Sequence, residues 1–293
     1  MLKMALLITG TIRNYKENYL TWKKHLLDLY DVDIFFHTYN ISGYHNDIYN
    51  NKNINTKIFN ENEIINLLNP KKYIIDDFTI KLNEFKKTIV SQCLRNGSPK
   101  PEFIKAQLYS IYQANNLKKE YEKENNIEYD IVIKIRFDTI FNSNFDVNDI
   151  KLIYNYENII LCGNENIKVM KYKTACENCI NNFNKQYFVK CIEHSDISDI
   201  VLISKSNIID FYANIYNEYD LFINIMFINT LNLIGKNNID KYQNIICENN
   251  KKIYYNIPNS ICPYPEKILP MYLKNYTLLN YSMKLDINRN IAQ

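Results

Sequence analysis

Arg136 and Asp138 stand one residue apart where the run "EYDIVIKIRFDTIF", residues 128–141, stops being apolar. The stretch from Tyr129 to Ile135 reads as a strand, and a strand this apolar is expected to be buried on both faces. A cation and a carboxylate at its carboxyl end therefore call for a reason. One reason is chemical: a carboxylate among arginines in a cleft can grip a metal–diphosphate. Mg²⁺ or Mn²⁺ takes oxygen ligands and keeps phosphate oxygens and water in its shell, so a single protein carboxylate can suffice. The plainer reading is a surface ion pair at a strand end, which is common and contributes little.

A second constellation is Cys176, Cys179, Cys191 and His194, spaced C-x2-C-x11-C-x2-H. Two pairs, each with two intervening residues, let short loops present tetrahedral ligands to Zn²⁺. Cys93, Cys162, Cys247 and Cys262 show that cysteine is also scattered elsewhere, so buried free thiols are the alternative. The third is "LLITGTIRNY" near the start. Gly10 is followed by no further glycine until Gly43, whereas backbone cradles for a pyrophosphate need several close together. Hydride transfer, P-loop chemistry and S-adenosylmethionine binding fail on this point. If a phosphate binds, side chains must hold it, and Arg13 and Arg136 offer the planar fork that suits an anion. The four histidines assemble no Ser-His-Asp or Cys-His nucleophile in the sequence: His25 falls within a helix and His45 in an Asn-rich loop.

Composition narrows the partners. A net charge of +3 over 293 residues, with Lys and Glu interspersed, is not the basic face that nucleic acid requires. The apolar run before Arg13 is too short for a signal peptide or a membrane span, and Asn224, Asn229 and Asn232 interrupt the run from Leu221 to Gly235. Seven cysteines without an export signal favour reduced thiols and a cytoplasmic location. The excess of Asn, Ile, Lys and Tyr follows AT-rich codons, so most of the 25 tyrosines are read as ordinary core and surface.

The elements that must position these residues follow from periodicity. Met4 to Ile8 is a strand closed by a turn. Asn14 and Glu17 are spaced as a capping box for a helix with Tyr19, Trp22, Leu26 and Leu29 on one stripe. Val32 to Phe36 is a second strand ending in His37 and Thr38. A helix near Glu61 to Leu68 stops at Pro70, and "KKYIIDDF" is a third strand. A long helix from about Glu102 to Asn125, with Ile104, Leu108 and Ile111 inward, leads into the strand that ends in Arg136. This β-α-β-α-β-α-β order calls for a mostly parallel sheet with helices on both faces, ligands lying at the carboxyl ends of its strands. The second half is less regular: "ENIILCG" and "DISDIVLISK" look like strands, and residues 207–219 and 221–233 like helices.

Four stretches together resemble the GT-A-fold nucleotide-sugar glycosyltransferases, of the little-characterised type found in large DNA viruses and bacterial surface-polysaccharide clusters. "ALLITGTIRNY" is similar to that group's opening strand ending in Gly-x-x-Arg, and "DVDIFFHTYN" to its second strand. "AQLYSIYQANNLKKEYE" resembles its Gln-x-Tyr-Ser helix. "YDIVIKIRFDTIF" resembles the strand whose Arg-x-Asp stands where related enzymes have Asp-x-Asp.

The resemblance implies a GT-A-like, Rossmann-like α/β fold in one domain, with residues 1–142 as the nucleotide-binding half and 143–293 as the acceptor-side half. It implies an enzyme that moves a sugar from a nucleoside diphosphate to an acceptor hydroxyl in glycan synthesis. Gly10, Thr11 and Arg13 would line the nucleotide phosphates, His37 and Thr38 the base or ribose, and Gln107, Ser110 and Ala114 one helix face toward the donor. Asp138 would hold Mn²⁺ or Mg²⁺ and Arg136 would neutralise the leaving diphosphate. Arg136 in place of the first Asp puts metal dependence in question. Asp196 or Asp199, in the acidic stretch before a late strand, would serve as the base of an inverting transfer. The competing expectation is an inactive transferase-like scaffold acting as a zinc-stabilised interaction module.

Overall fold

The computed structural model describes residues 2–42, 59–88, 91–94, 101–145, 153, 159–163, 200–220, 246–248, 251–255, 277–281 and 285–287. β1 (Met4–Thr9) is buried at every position. β2 (Val32–Tyr39) pairs parallel with it on one side and β5 (Ile131–Arg136) on the other, so Thr9 sits level with both His37 and Arg136. β3 (Lys72–Asp76) pairs parallel beyond β2. On the far side of β5 lie β8 (Val201–Ser204), β7 (Ile159–Gly163) and β11 (Thr277–Tyr281). Among the described residues the main sheet thus runs β3-β2-β1-β5-β8-β7-β11, and β8 alone of these strands is antiparallel to its neighbours. Smaller pairings join β4 (Ser91–Leu94), β10 (Lys251–Tyr255) and β9 (Ile246–Glu248), and β6 (Thr139–Phe141) with β12 (Leu285–Ile287).

Alternate residues of β1 feed two cores, which is why the strand is apolar throughout rather than alternating. Met4, Leu6 and Ile8 pack with Trp22 and Leu26 of α1 (Tyr15–Trp22, continued by a π-helical stretch, Lys23–Leu27) and with Ile64 and Leu68 of α2 (Glu61–Leu68). Ala5 and Leu7 pack on the opposite face with Ile104, Leu108 and Ile111 of α4 (Pro101–Asn125) and with Ile208, Ile209 and Tyr212 of α5 (Ser206–Ala213). Each such Leu or Ile, fully removed from water, contributes on the order of 1.5–3 kcal/mol. The fold is α/β, a mostly parallel sheet covered on both faces, of the Rossmann-like kind. No helix among the described residues is long and apolar enough to cross a membrane.

Several local expectations need correction. Asn14 and Glu17 do not make a capping box: Asn14 has φ 41°, and its side chain makes no cap bond. An N-cap needs extended backbone, and the chain instead turns sharply after Arg13. Trp22 and Leu26 face the core as the stripe requires, but Leu29 lies past the end of the π-helical turn and is 46 % exposed. The second strand runs to Tyr39, three residues past the expected end. A helix that the periodicity did not show, α3 (Phe78–Thr88), follows β3, with Asp77 Oδ1 accepting from the Ile80 amide at 2.9 Å as its N-terminal cap. Ser206–Ala213 is helical and helix resumes over 215–220, whereas residues 221–233 lie outside the described residues.

Candidate functional site

The strand order reverses at β1: the chain first steps outward to β2 and β3, then returns to place β5 on β1's other side. α1 and α4 pass over opposite faces of the sheet in doing so. Such a switch point leaves a crevice outside the carboxyl ends of the strands. A cleft lies there, enclosing about 700 Å³ of space partly open to solvent. Gly10, Thr11, Arg13, Gln107, Arg136 and Asp138 line it, together with Tyr39, Phe78, Phe103, Ala106 and Thr9.

On the β5 side the lining is ionic. Arg136 donates to Asp138 through two parallel bonds, Nε to Oδ1 at 2.9 Å and Nη2 to Oδ2 at 2.6 Å. Arg13 Nη1 donates to the same Oδ2 at 3.0 Å. The Asp138 side chain is 3 % exposed, against 13 % for Arg13 and 26 % for Arg136. Burial pushes its carboxyl upward, but Arg136 and Arg13 together more than offset this and hold it below the ordinary carboxylate range. Asp138 is therefore ionised and surrounded. This is not the exposed strand-end pair of the plainer reading.

The turn that carries the pair is held from underneath. Phe137, between the two charged residues, points into the core and meets the Phe36 ring edge-on at 6.0 Å. Asn18 Nδ2 donates to the Phe137 carbonyl at 2.7 Å and Trp22 Nε1 to the Thr139 carbonyl at 2.7 Å. These residues are four apart on α1, so one helix face grips the turn at two points. The Thr139 hydroxyl in turn accepts from the Arg136 amide at 3.2 Å.

Beneath the glycine turn lies a buried polar chain that sequence reasoning missed. Asp76 Oδ2 is 3.1 Å from His37 Nε2, and His37 Nδ1 is 3.0 Å from Ser110 Oγ. Ser110 Oγ accepts from the Gly10 amide at 2.8 Å, and the Thr38 hydroxyl donates to the Gly10 carbonyl at 2.8 Å. Burial lowers the pKa of His37 by more than the Asp76 bond raises it, so the ring is neutral at pH 7. The Ser110 hydroxyl carries one proton and has two acceptors at 3.0 Å, the His37 carbonyl and, with Nε2–H directed at Asp76, His37 Nδ1. The His37 bond lowers the Asp76 carboxyl despite partial burial.

The order matches a Ser-His-Asp series, yet His37, Thr38 and Ser110 have no exposed surface and do not line the cleft. They cannot touch a donor in this conformation, contrary to expectation. Their contacts fix Gly10, whose φ of 95° lies in the region that favours glycine. Ala114, expected on the same helix face, is buried in the apolar cluster beneath α4.

On the β2 side the lining is aromatic. Tyr39 is buried, its hydroxyl donating to the Ala106 carbonyl at 2.6 Å. The Phe78 ring meets Tyr39 edge-on and lies parallel to Phe103 at 6.3 Å between centroids.

The residues around Asp138 fit a divalent cation poorly. Both carboxylate oxygens already accept from guanidinium groups, and Asp138 is the one acidic side chain among the described residues of the lining. Among the described residues no group of three or more His, Cys, Asp or Glu side chains is placed to hold a metal. The expected zinc ligands Cys176, Cys179, Cys191 and His194, and the expected bases Asp196 and Asp199, lie outside the described residues.

No protein-family model matches the chain, and no curated protein matches it. Among solved structures it is similar to the apo form of mouse xyloside xylosyltransferase 1, at 9 % identity over 75 % of this chain and 72 % of that one, with a TM-score of 0.31.

Proposed function

We propose that the protein is a glycosyltransferase that moves a sugar from a nucleoside-diphosphate sugar to an acceptor hydroxyl. The observation that carries this reading is the polarity of the cleft: guanidiniums on the β5 side and aromatic rings on the β2 side. Arg13 and Arg136 suit a diphosphate, since a guanidinium donates paired bonds to an anion. Tyr39, Phe78 and Phe103 give a base an apolar wall, with Gln107 beside them to bond its polar edge. The four sequence stretches that resemble nucleotide-sugar transferases all contribute to this cleft or to its floor.

The reaction is a displacement. The acceptor oxygen forms a bond to the anomeric carbon while the bond from that carbon to the diphosphate oxygen breaks, its electron pair leaving with the diphosphate. In a direct, inverting transfer the acceptor's proton passes to a carboxylate base, for which we retain Asp196 and Asp199. Chain connectivity supports that stretch. Lys134 pairs with Leu202 in the antiparallel β5–β8 ladder, so β8 begins near the carboxyl end of β5. Asp199 stands two residues before Val201, the first residue of β8, in the sequence.

The test is to incubate the full chain with a panel of nucleotide sugars and follow release of nucleoside diphosphate, with simple glycosides as acceptors. One donor class is expected to give turnover that Asp138→Ala abolishes. If no donor is consumed and no nucleoside diphosphate raises the melting temperature, the reading fails.

A further inference from the structure

We propose that the cleft binds the diphosphate through the paired guanidiniums of Arg13 and Arg136 without a divalent cation, Asp138 serving to orient them. The inference rests on the donor-binding reading above and concerns how the charge is met.

A carboxylate that ligates Mg²⁺ or Mn²⁺ must present a bare oxygen to the ion at close range. Asp138 Oδ1 accepts from Arg136 Nε at 2.9 Å, and Oδ2 accepts from Arg136 Nη2 at 2.6 Å and Arg13 Nη1 at 3.0 Å. A cation at either oxygen would stand within a few ångströms of one guanidinium or both, in a site where water screens little. The charge count points the same way. Among the described residues the cluster holds two guanidiniums and one carboxylate, a balance that favours an anion over a further cation.

The geometry gives Asp138 a different task. Its two parallel bonds fix the plane of the Arg136 guanidinium, and the third bond ties Arg13, from the loop after β1, to the turn after β5. The cationic pair is thereby assembled before a ligand arrives. Negative charge that grows on the departing diphosphate meets donors already in place, and no cation is needed at that step. Asp138 is in this scheme a positioning residue acting through the arginines.

The experiment is a titration of the full chain by calorimetry with UDP, GDP, CDP and ADP and their monophosphates. It is run first in excess EDTA and then in excess Mn²⁺. At least one diphosphate is expected to bind in EDTA, with Mn²⁺ changing its Kd by less than about threefold. Binding that needs Mn²⁺, or tightens with it by about tenfold or more, overturns the inference and leaves the donor reading standing. Absence of binding under both conditions overturns both.

Two variants separate the roles further. Arg136→Lys keeps the charge and loses the fork, so in EDTA it is expected to weaken the diphosphate by about tenfold and the monophosphate less. Asp138→Asn is expected to weaken diphosphate binding in EDTA as well. A metal ligand would instead leave the EDTA affinity unchanged and lose only the Mn²⁺ effect. Circular dichroism of both variants establishes that the fold is kept; equal loss for mono- and diphosphate counts against the inference.

Discussion

Asn18 reaches from α1 to the turn after β5, its side-chain amide donating to the carbonyl of Phe137 at 2.7 Å. The two residues are far apart in the chain and both are buried. Removing the amide strands a buried carbonyl at the point where Arg136 and Asp138 diverge. Asn18→Ala is expected to cost about 1–3 kcal/mol and to weaken nucleoside-diphosphate binding. Urea denaturation and calorimetry check the two effects. Unchanged affinity in a folded variant would show that the turn holds its shape without Asn18.

Trp22 supplies the second grip. Trp22→Phe keeps most of the buried ring but loses the indole donor to the Thr139 carbonyl, and a loss of about 1–2 kcal/mol is expected. The double variant with Asn18→Ala is expected to be non-additive, because both bonds support one turn. Simple additivity would mean that the two grips act independently.

Gly10 offers a test in which crowding plays no part. A Cβ added there meets nothing within 4 Å, yet the φ of 95° is one that other residues rarely adopt. Gly10→Ala is expected to destabilise by about 1–2 kcal/mol, or to flip the turn and release the Ser110 hydroxyl from the Gly10 amide. A melting temperature equal to that of the parent would argue that the turn relaxes without loss.

His37 makes stability depend on pH with a definite sign. Burial lowers its pKa from 6.5, so just below that pH the folded chain binds fewer protons than the unfolded one. Its contribution is complete above 6.5 and is lost as the pH falls toward the depressed folded value. Asp76 and Asp138 are also lowered, from 3.8, and act in the same sense at more acid pH. Urea midpoints measured between about pH 7 and 5 are expected to fall for the parent chain and to stay nearly level for His37→Gln. The same slope in both proteins would assign the effect elsewhere.

Much of this frame is readable from the chain. Strands β1, β2, β3 and β5 and the helix at residues 101–125 follow from apolar runs and from stripes such as Ile104, Leu108 and Ile111, because local periodicity reports which face is covered. The placement of Gly10, Arg13, Arg136 and Asp138 follows as well, since strand ends in a parallel sheet share one edge. The Asp76–His37–Ser110 chain was not readable. Its members lie 39 and 73 residues apart, and no spacing rule links residues on two strands and a helix across such separations. Asn18 was hidden for another reason: a buried asparagine looks like any other in a chain so rich in the residue. The helix after β3 did carry a signal, Asp77 three residues before Ile80, which a search for apolar stripes alone overlooks.

The pairing of Gly163 with Val201 has a consequence for how such a chain can vary. The two residues flank positions 164–200 in the sequence and stand on the same rung of the ladder. The ends of that stretch are fixed side by side whatever its length, so doubling it adds only about 0.6 kcal/mol of closure entropy. Changes of length there are expected to leave the register of β7, β8 and β5 as it is. The sheet can thus keep its arginine-lined floor while the length of chain between Gly163 and Val201 varies.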